Sequence, residues 1–377
     1  MARALALARR GQALASPNPM VGAVLVRNGR VAGQGFHTYD GLRHAEIIAL
    51  EAAGQAARGA TLYINLEPCC NHGRTGPCTG ALIAAGIKRV VAAMPDPNPA
   101  VAGRGFRQLR AAGIEVITAV AESAGRQLNE AFAVWIKSRR PLVTLKSAMT
   151  LDGCMVLAPR NSRSRWITSE ESRAEVHRMR HASDAILTGI GTVLADDPLL
   201  TDRTGLPRRR PLVRVVLDSR LRLPLNSRLV RTANNDLLVF TCASPSSPRA
   251  RKLARAGVEV IPVPSRGSRG KTRRHSARSE ESLCRPDLRK VLAELGRREI
   301  LSVMLEPGPT LHQAALDAGI VDKVRLFYAP ILAGLPSAAH QLRARANSPL
   351  RNLSAPRIQS FGPDFAVEAY LRNIYQR

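Results

Sequence analysis

The sequence predicts an α/β protein of two successive domains, and three observations lead to that prediction. The chain has 377 residues, enough for two domains with separate cores. Apolar strand-like segments alternate with helical patterns in the first third, and a second alternating series begins at Leu142. Between them, Leu128–Lys137 predicts a connecting helix that ends before Arg139-Arg140-Pro141. The predicted boundaries are 1–122 for the first domain, 123–140 for the linker and 141–377 for the second domain.

The elements of the first domain follow from segment length and apolar periodicity. Short, mostly apolar segments predict strands, and longer segments with one apolar face predict helices. The predicted strands are Gly22–Val26, Thr61–Asn65, Arg89–Met94 and Glu115–Val120. The predicted helices are His44–Ala57, Cys78–Ala85 and Gly103–Ala112.

The second domain repeats this alternation with more strands. Helices are predicted at Ser169–Arg180 and Asp287–Leu295, and Thr168-Ser169-Glu170-Glu171 supplies an N-cap with acidic residues in the first turn. Ser265–Arg278 has six cationic residues and no acidic residue, so we expect a disordered basic loop near 265–284. The predicted strands are Leu142–Ala148, Ala185–Gly189, Val213–Asp218, Leu237–Thr241, Val258–Val263, Leu301–Leu305 and Val324–Tyr328.

Composition narrows the class of protein and its partners. The net charge of +27 is compatible with nucleic-acid binding, but aromatic residues, which would stack on bases, make up only 4%. We therefore expect arginine-rich solvated surfaces and no nucleic-acid partner. Apolar runs such as Val90–Met94 fall far short of the roughly 20 residues of a membrane helix. No clear signal peptide precedes the first domain, so we expect a cytoplasmic protein with no membrane partner.

Three of the six cysteines fall within ten residues, a spacing that favours a metal site over a disulfide framework. His44-Ala45-Glu46 is followed by Pro68-Cys69 and, after eight residues, by Cys78. One imidazole and two thiolates leave the fourth position of a tetrahedral zinc ion open for a catalytic water. We therefore predict that His44, Cys69 and Cys78 bind Zn²⁺.

Glu46 lies two residues beyond the first predicted ligand, at a helix start. There it can face the open position and carry a proton from water to a leaving amine, and this arrangement is typical of zinc-dependent deaminases. A structural zinc site with four protein ligands is the alternative, with His72 as the candidate fourth ligand. Cys70 is interpreted as a packing residue.

These motifs carry a family resemblance. Ser16-Pro17-Asn18-Pro19-Met20-Val21-Gly22, the His44 motif, Leu66 to Cys78, and Asp96-Pro97-Asn98-Pro99 closely resemble the deaminase half of the bifunctional riboflavin-biosynthesis enzymes. The resemblance implies a three-layer α/β/α cytidine-deaminase-like domain. It also implies that Asn18 and the His72–Thr75 loop line a pyrimidine pocket. Many relatives have a second histidine where this chain has Asn71.

In the second domain, glycine-bearing turns follow apolar strands, and backbone amides at such turns can hold phosphate. No GxGxxG fingerprint follows the first strand, so a Rossmann fold is not predicted. Lys146 to Gly153, Trp166-Ile167-Thr168, Asp184 to Val193 and Asp196 to Arg203 resemble the reductase half of the same enzymes, whose fold is similar to dihydrofolate reductase.

The resemblance implies site residues and a second cofactor for this domain. NADPH is the implied cofactor, and the substrate is a pyrimidine ribosyl phosphate. The residues implied to contact NADPH are Ala148, Trp166, Thr192, Asp196, Ser219 and Gly308. The residues implied to bind the substrate are Ser164, Arg180, Leu200, Arg203 and Glu306. Arginine and serine side chains suit a phosphate ester.

The implied activity is hydrolytic deamination followed by NADPH-dependent reduction of the ribosyl to a ribityl chain. This chain departs from the reductase pattern of the family at two places. The turn Ala158–Arg163 is longer than in the family and lacks glycine. Pro307 replaces the first glycine of a Glu-Gly-Gly pattern that many relatives have. The alternatives are a deaminase acting on a nucleic-acid base and a deaminase with a degenerate reductase half. We also expect a homo-oligomer.

Overall fold

The computed structural model describes residues 1–71, 76–155, 166–263, 284–333 and 350–375. These divide into two compact units, and each unit has its own sheet and its own buried clusters. The first unit comprises Met1–Arg139, Leu206–Arg210 and Ile374–Arg377, and the second comprises Arg140–Gly205 and Pro211–Asn373. The predicted class, two α/β domains, is confirmed. Four predicted features lie outside the described residues: the His72–Thr75 loop, Ser164, the Ala158–Arg163 turn and nearly all of the basic segment.

The described part of the first unit contains a five-stranded sheet in the order β2-β1-β3-β4-β5. Strand β1 is antiparallel to β2 and β3, whereas β3, β4 and β5 are parallel. The strands are β1 (Gly22–Arg27), β2 (Arg30–Phe36), β3 (Thr61–Ile64), β4 (Arg89–Ala92) and β5 (Glu115–Ile117).

Helices cover both faces of this sheet, which gives the expected three layers. On one face, Ala23 and Leu25 of β1 join the main buried cluster with residues of α2, α3 and α4. On the other face, Val24 packs with Ala4 and Leu7 of α1. Successive side chains of β1 therefore point to opposite faces of the sheet and pack into two different cores. The helices are α1 (Ala2–Arg9), α2 (Ala45–Ala53), α3 (Cys78–Ala84), α4 (Arg104–Ala111), α5 (Glu122–Leu128) and α6 (Glu130–Ser138), with a 3₁₀ turn at Gly54–Ala57.

The predicted helix Leu128–Lys137 is present as α6 (Glu130–Ser138), and a further helix that the sequence did not predict, α5, ends just before it at Leu128. The Asn129 side chain turns away from the helix axis to bind the backbone of Met20, accepting from its amide at 2.8 Å and donating to its carbonyl at 3.1 Å. Asn65 also donates to the Met20 carbonyl, at 2.8 Å. The break between α5 and α6 therefore fixes the segment that carries Asn18.

The described part of the second unit contains a nine-stranded sheet in the order β10-β9-β8-β7-β11-β6-β12-β14-β13. All seven predicted strands are present and mutually parallel, and the unpredicted hairpin β13–β14 extends the sheet with antiparallel pairing. The strands are β6 (Leu142–Thr150), β7 (Ala185–Gly189), β8 (Val213–Leu217), β9 (Leu237–Thr241), β10 (Val258–Pro262), β11 (Ser302–Leu305), β12 (Lys323–Ala329), β13 (Ser354–Phe361) and β14 (Asp364–Tyr370).

Helices separate the parallel strands and build cores on both faces of this sheet. The predicted N-cap is confirmed, because the Ser169 hydroxyl accepts from the Ser172 amide at 3.2 Å. Cys242 and Cys284 form a disulfide that the sequence did not predict. In the described residues no helix has the length and apolarity to span a membrane. The helices are α7 (Glu170–Ala182), α8 (Ile190–Asp196), α9 (Arg228–Arg231), α10 (Pro248–Arg255), α11 (Leu288–Arg297) and α12 (Pro309–Asp317).

Candidate active sites

The structure brings the three predicted zinc ligands together. His44 is the N-cap of α2, Cys78 is the first residue of α3, and Cys69 lies on the segment after β3. His44 Nδ1 is 3.1 Å from Cys78 Sγ and 3.4 Å from Cys69 Sγ, and the donor atoms all lie within 4.8 Å of one another. One nitrogen and two sulfur donors at such separations match the donor set and size of a tetrahedral zinc site with an open position.

Backbone contacts hold Cys69 beside α3. The Cys78 amide donates to Cys69 Sγ at 3.3 Å, and the Thr79 amide donates to the Cys69 carbonyl at 3.1 Å. The pKa of the Cys69 thiol is well below its ordinary value, chiefly because the Cys78 thiol donates a hydrogen bond to it. The cluster therefore favours a thiolate, which is the form that binds metal.

Glu67 fixes the turn that leads into Cys69. Its buried carboxylate accepts hydrogen bonds from the backbone amides of Asp96 at 3.0 Å, Gly103 at 2.9 Å and Phe106 at 3.1 Å. Three amide donors hold the carboxylate in one orientation and cap the start of α4. Glu67 lies within the Leu66 to Cys78 motif, but nothing in the sequence pattern indicates this role.

Glu46 is in the first turn of α2 and only 3% exposed. Burial raises the pKa of Glu46 to about 7, and the negative charge of Cys69 acts in the same direction. A carboxyl group with such a pKa can both accept and donate a proton near neutral pH. The Glu46 carboxyl group is also within hydrogen-bonding reach of the Cys78 side chain, so it lies at the predicted metal cluster.

Asn18 also lies close to the cluster, through His37. Asn18 Nδ2 is 2.9 Å from His37 Nε2, and the His37 and His44 rings contact edge-on with centroids 5.4 Å apart. His37 Nδ1 donates to the Arg43 carbonyl at 2.9 Å, which leaves Nε2 to accept from Asn18. His37 was not identified from the sequence, because nothing in its local pattern reveals this contact.

Five of the six residues implied to contact NADPH belong to four neighbouring strands of the second sheet or to the segments that follow those strands. Strands β8, β7, β11 and β6 are adjacent and parallel, so their carboxyl ends share one edge. Gly308 and Thr192 approach each other directly, because a Cβ on Gly308 would lie 3.3 Å from Thr192 Oγ1. Ala148 is near the end of β6, Ser219 follows β8, Thr192 and Asp196 belong to α8 after β7, and Gly308 follows β11.

Trp166, the sixth residue implied to contact NADPH, and Pro307, the departure from the family pattern, also have definite places. Trp166 is 64% exposed, and the Arg173 guanidinium lies 5.2 Å from its ring centroid. Pro307 lies in the short segment between β11 and α12, directly before Gly308, which is the N-cap of α12. A second proline, Pro309, occupies the first turn of α12. Proline is well tolerated there because that amide has no partner within the helix.

Among the residues that the resemblance implies for the substrate, Arg180 contacts Glu306 in the structure. Arg180 Nε and Nη2 bind the two Glu306 oxygens at 2.7 and 2.9 Å, and Nη1 donates to the Thr201 carbonyl at 3.1 Å. Leu200, the residue before Thr201, is buried and has a left-handed backbone with φ 52°. Arg203 is exposed. Arg180 therefore orients Glu306, which leaves Arg203 as the more accessible cation.

Lys146 is a further charged group that sequence analysis missed. It lies on β6, and the pKa of its ammonium is lowered by burial and by Arg180, while Glu306 raises it. The signal was a lysine inside an apolar strand, two residues before Ala148, with which it shares a face.

An α/β/α unit with a His-Cys-Cys cluster beside a buried glutamate defines a zinc-type hydrolytic deaminase, here joined to a second α/β enzyme domain. Comparison with known protein families supports both domain assignments. The cytidine and deoxycytidylate deaminase zinc-binding region matches residues 1–94, and the RibD C-terminal domain matches residues 141–367.

Relatives match over nearly the whole chain. Riboflavin biosynthesis protein RibD of Aquifex aeolicus is 39% identical over 97% of this chain and 96% of its own, and that of Escherichia coli is 40% identical over 89% and 88%. The structure of Acinetobacter baumannii RibD has a TM-score of 0.81 at 33% identity and covers 98% of this chain and 97% of its own.

A Thermotoga maritima structure described as a diaminohydroxyphosphoribosylaminopyrimidine deaminase and 5-amino-6-(5-phosphoribosylamino)uracil reductase has a TM-score of 0.77 at 35% identity, with the same coverage of 98% and 97%. The chain belongs to the RibD family of riboflavin-biosynthesis enzymes, and it is a bifunctional deaminase and reductase.

Proposed function

We propose that this enzyme deaminates 2,5-diamino-6-(5-phosphoribosylamino)pyrimidin-4-one and then reduces the ribosyl chain of the product to a ribityl chain with NADPH. The observation that carries the proposal is the convergence of His44, Cys69 and Cys78 beside the buried Glu46. The name of the Thermotoga relative, which contains both activities, supports the choice of substrate.

The deaminase residues divide the work between holding a metal and moving a proton. His44, Cys69 and Cys78 would hold zinc, which when bound lowers the pKa of a water molecule and so supplies a nucleophile. Glu46 takes a proton from the attacking water on its carboxylate and donates it to the departing amine, and its pKa of about 7 suits both transfers. Asn18, held by His37, orients the pyrimidine ring.

The reductase residues bind and orient the ribosyl phosphate at the carboxyl edge of the second sheet. NADPH, when bound, supplies the hydride. Arg180 holds the Glu306 carboxylate in a fixed orientation toward the polar part of the substrate. Arg203, with Ser164, binds the phosphate. Lys146 places a cation beside Glu306 and is our candidate for the proton donor to the ribosyl oxygen.

The proposal also covers the compartment, the oligomeric state and the partners of the enzyme. We infer a cytoplasmic homo-oligomer that binds a small pyrimidine ribosyl phosphate and no nucleic acid. Light scattering of the purified protein tests the oligomer. A purified enzyme that deaminates RNA and leaves the diaminopyrimidine phosphate unchanged would contradict the substrate assignment.

Substitutions at the metal cluster test the deaminase assignment. Glu46→Gln removes the proton carrier but no metal donor, so zinc content stays while ammonia release falls by about 100-fold or more. Cys78→Ser removes a donor, so both zinc content and ammonia release fall. Cys70→Ser is the matched control: Cys70 stands next to Cys69 but outside the cluster, and both quantities should be unchanged. Normal ammonia release by Glu46→Gln would overturn the assignment.

A further inference from the structure

A short segment from the second half of the chain belongs to the first unit. Leu206–Arg210 stands between α8 and β8 in the sequence, yet it clusters with Met1–Arg139. The cytidine and deoxycytidylate deaminase zinc-binding region matches residues 1–94, so this segment lies far outside that match. The first unit therefore includes an element that the deaminase motifs do not contain.

Within this element, Arg209 binds the segment that leads to Asn18. Its backbone amide donates to the Ala13 carbonyl at 2.9 Å, and its Nε donates to the Ser16 carbonyl at 3.0 Å. The next residue, Arg210, donates from Nη2 to the Ser16 hydroxyl at 3.1 Å. From Ala13 to Asn18 the chain forms turns and bends, so no strand ladder or helix holds it. Its position therefore depends on contacts such as those of the two arginines.

Arg209 also contacts the segment that carries His37. Its guanidinium lies over the Tyr39 ring, 4.1 Å from the ring centroid. Its Nη1 is 3.7 Å from an oxygen of the exposed Asp40, a weak ion pair that contributes little. Tyr39 follows His37 by two residues, again in a stretch without helix or strand. One arginine thus joins two irregular segments, and each segment carries one member of the Asn18–His37 pair.

The chain is anchored on both sides of Asn18. Two residues after it, the backbone of Met20 is bound by the Asn129 side chain. Two residues before it, the carbonyl of Ser16 is bound by Arg209. A side chain that orients a reacting ring has to be held to within about 0.5 Å, and its supporting contacts do this. Loss of the Arg209 contacts would therefore loosen one of the two anchors of Asn18.

We propose that Arg209 is a positioning residue of the deaminase site, and that it holds Asn18 in the orientation that binds the pyrimidine ring. A guanidinium suits this task because it donates hydrogen bonds in a fixed plane while its face stacks on an aromatic ring. The inference rests on the proposed function, which assigns the pyrimidine ring to Asn18. Deamination then depends on a residue that lies 193 positions after Ser16.

A double-mutant cycle on the full-length enzyme tests this role. The variants are Arg209→Gln, Asn18→Ala and the two combined. The measured quantities are zinc content and kcat/KM for ammonia release from the diaminopyrimidine ribosyl phosphate. Arg209→Gln removes the Nε donor and the stacking on Tyr39 but no metal donor. Its kcat/KM should therefore fall about tenfold through misplacement of the ring, with zinc content unchanged.

The combined variant separates positioning from a general structural effect. In the Asn18→Ala background, Arg209→Gln should cause no further loss of kcat/KM, because a residue that acts through Asn18 has nothing left to position. Arg209→Lys keeps the positive charge and the aliphatic stem but lacks the Nε donor. It should show a smaller loss than Arg209→Gln, and it supplies the comparison with wild type if glutamine impairs folding.

Arg139→Gln is the matched control. The Arg139 guanidinium also lies over an aromatic ring of the first unit, 4.5 Å from the Trp135 centroid. In the described part of the chain no hydrogen bond joins it to Ser16. Its kcat/KM for ammonia release and its zinc content should match those of wild type.

Failure of the proposed function and failure of this role are distinguishable. Wild-type enzyme that releases no ammonia from the diaminopyrimidine phosphate contradicts the proposed function, and the role of Arg209 with it. Normal wild-type turnover with an unchanged kcat/KM in Arg209→Gln or in Asn18→Ala overturns the role of Arg209 alone. An equal loss with and without Asn18 also overturns it, and so does a fall in zinc content, because Arg209 would then act independently of Asn18.

Discussion

His44, Glu46, Cys69 and Cys78 could be predicted from the sequence because their chemistry is tied to short spacings along the chain. Their contacts with one another follow from helix starts that the sequence also predicts. The supporting residues could not be predicted in the same way. Glu67 receives its hydrogen bonds from amides 29 to 39 residues further along the chain, and no local pattern contains that information.

His312 illustrates a residue whose effect appears only in the folded chain. Its side chain is 7% exposed, and Nδ1 lies 3.1 Å from Ser147 Oγ on β6. Burial lowers the pKa of His312 to about 4. Because the unfolded chain binds a proton near pH 6.5 that the folded chain does not, this residue stabilises the fold above pH 6.5, and the contribution is lost as the pH falls toward 4.

We therefore predict that the second unit loses roughly 3 kcal/mol of stability between pH 6.5 and pH 4 through His312 alone. His312→Asn, which can still bind Ser147 but cannot be protonated, should show a smaller loss. Urea unfolding at several pH values measures the difference. Parallel pH dependence in the variant and wild type would show that His312 does not titrate in this way.

At the scale of elements, the sequence predicted the parallel strands of the second sheet and missed three antiparallel strands. Parallel strands buried on both faces are continuous apolar runs, which are easily detected. In contrast, β13 is exposed along almost its whole length, and β2 contains two glycines. The turn residues could have predicted these hairpins from the sequence. Asn28-Gly29, both with positive φ, joins β1 to β2, and Gly362-Pro363 joins β13 to β14.

Strand β2 contains glycines because helix α2 packs directly against it. Helix α2 packs so closely on β2 that a Cβ at Gly33 would lie 2.2 Å from the Ala49 carbonyl oxygen, a backbone atom. We predict that Gly33→Ala forces α2 away from the sheet and destabilises the first unit by about 1–3 kcal/mol.

Because His44 and Glu46 belong to the start of α2, the same variant should also lower deaminase activity. Gly191→Ala is the control, since that glycine has open space around its Cβ position and an ordinary φ. Urea unfolding of both variants checks the prediction. Equal stability of Gly33→Ala and wild type would mean that α2 adjusts without cost.

At the scale of the whole molecule, each unit has its own sheet, its own core and its own candidate site. The metal donors all belong to the first unit and the proposed NADPH residues to the second. Removal of zinc with a chelator should therefore abolish ammonia release, while reduction of supplied deaminated pyrimidine continues. Loss of both activities, restored together by zinc, would show that the reductase depends on the metal.

The most direct test of the bifunctional assignment follows ammonia release and NADPH oxidation separately in one reaction that starts from the diaminopyrimidine ribosyl phosphate. We predict one ammonia per NADPH at completion, with ammonia released first. The Glu46→Gln variant should produce neither signal until deaminated substrate is added, and should then oxidise NADPH at the wild-type rate. Ammonia release without NADPH oxidation, even with deaminated substrate supplied, would contradict the assignment and leave a deaminase with an inactive second domain.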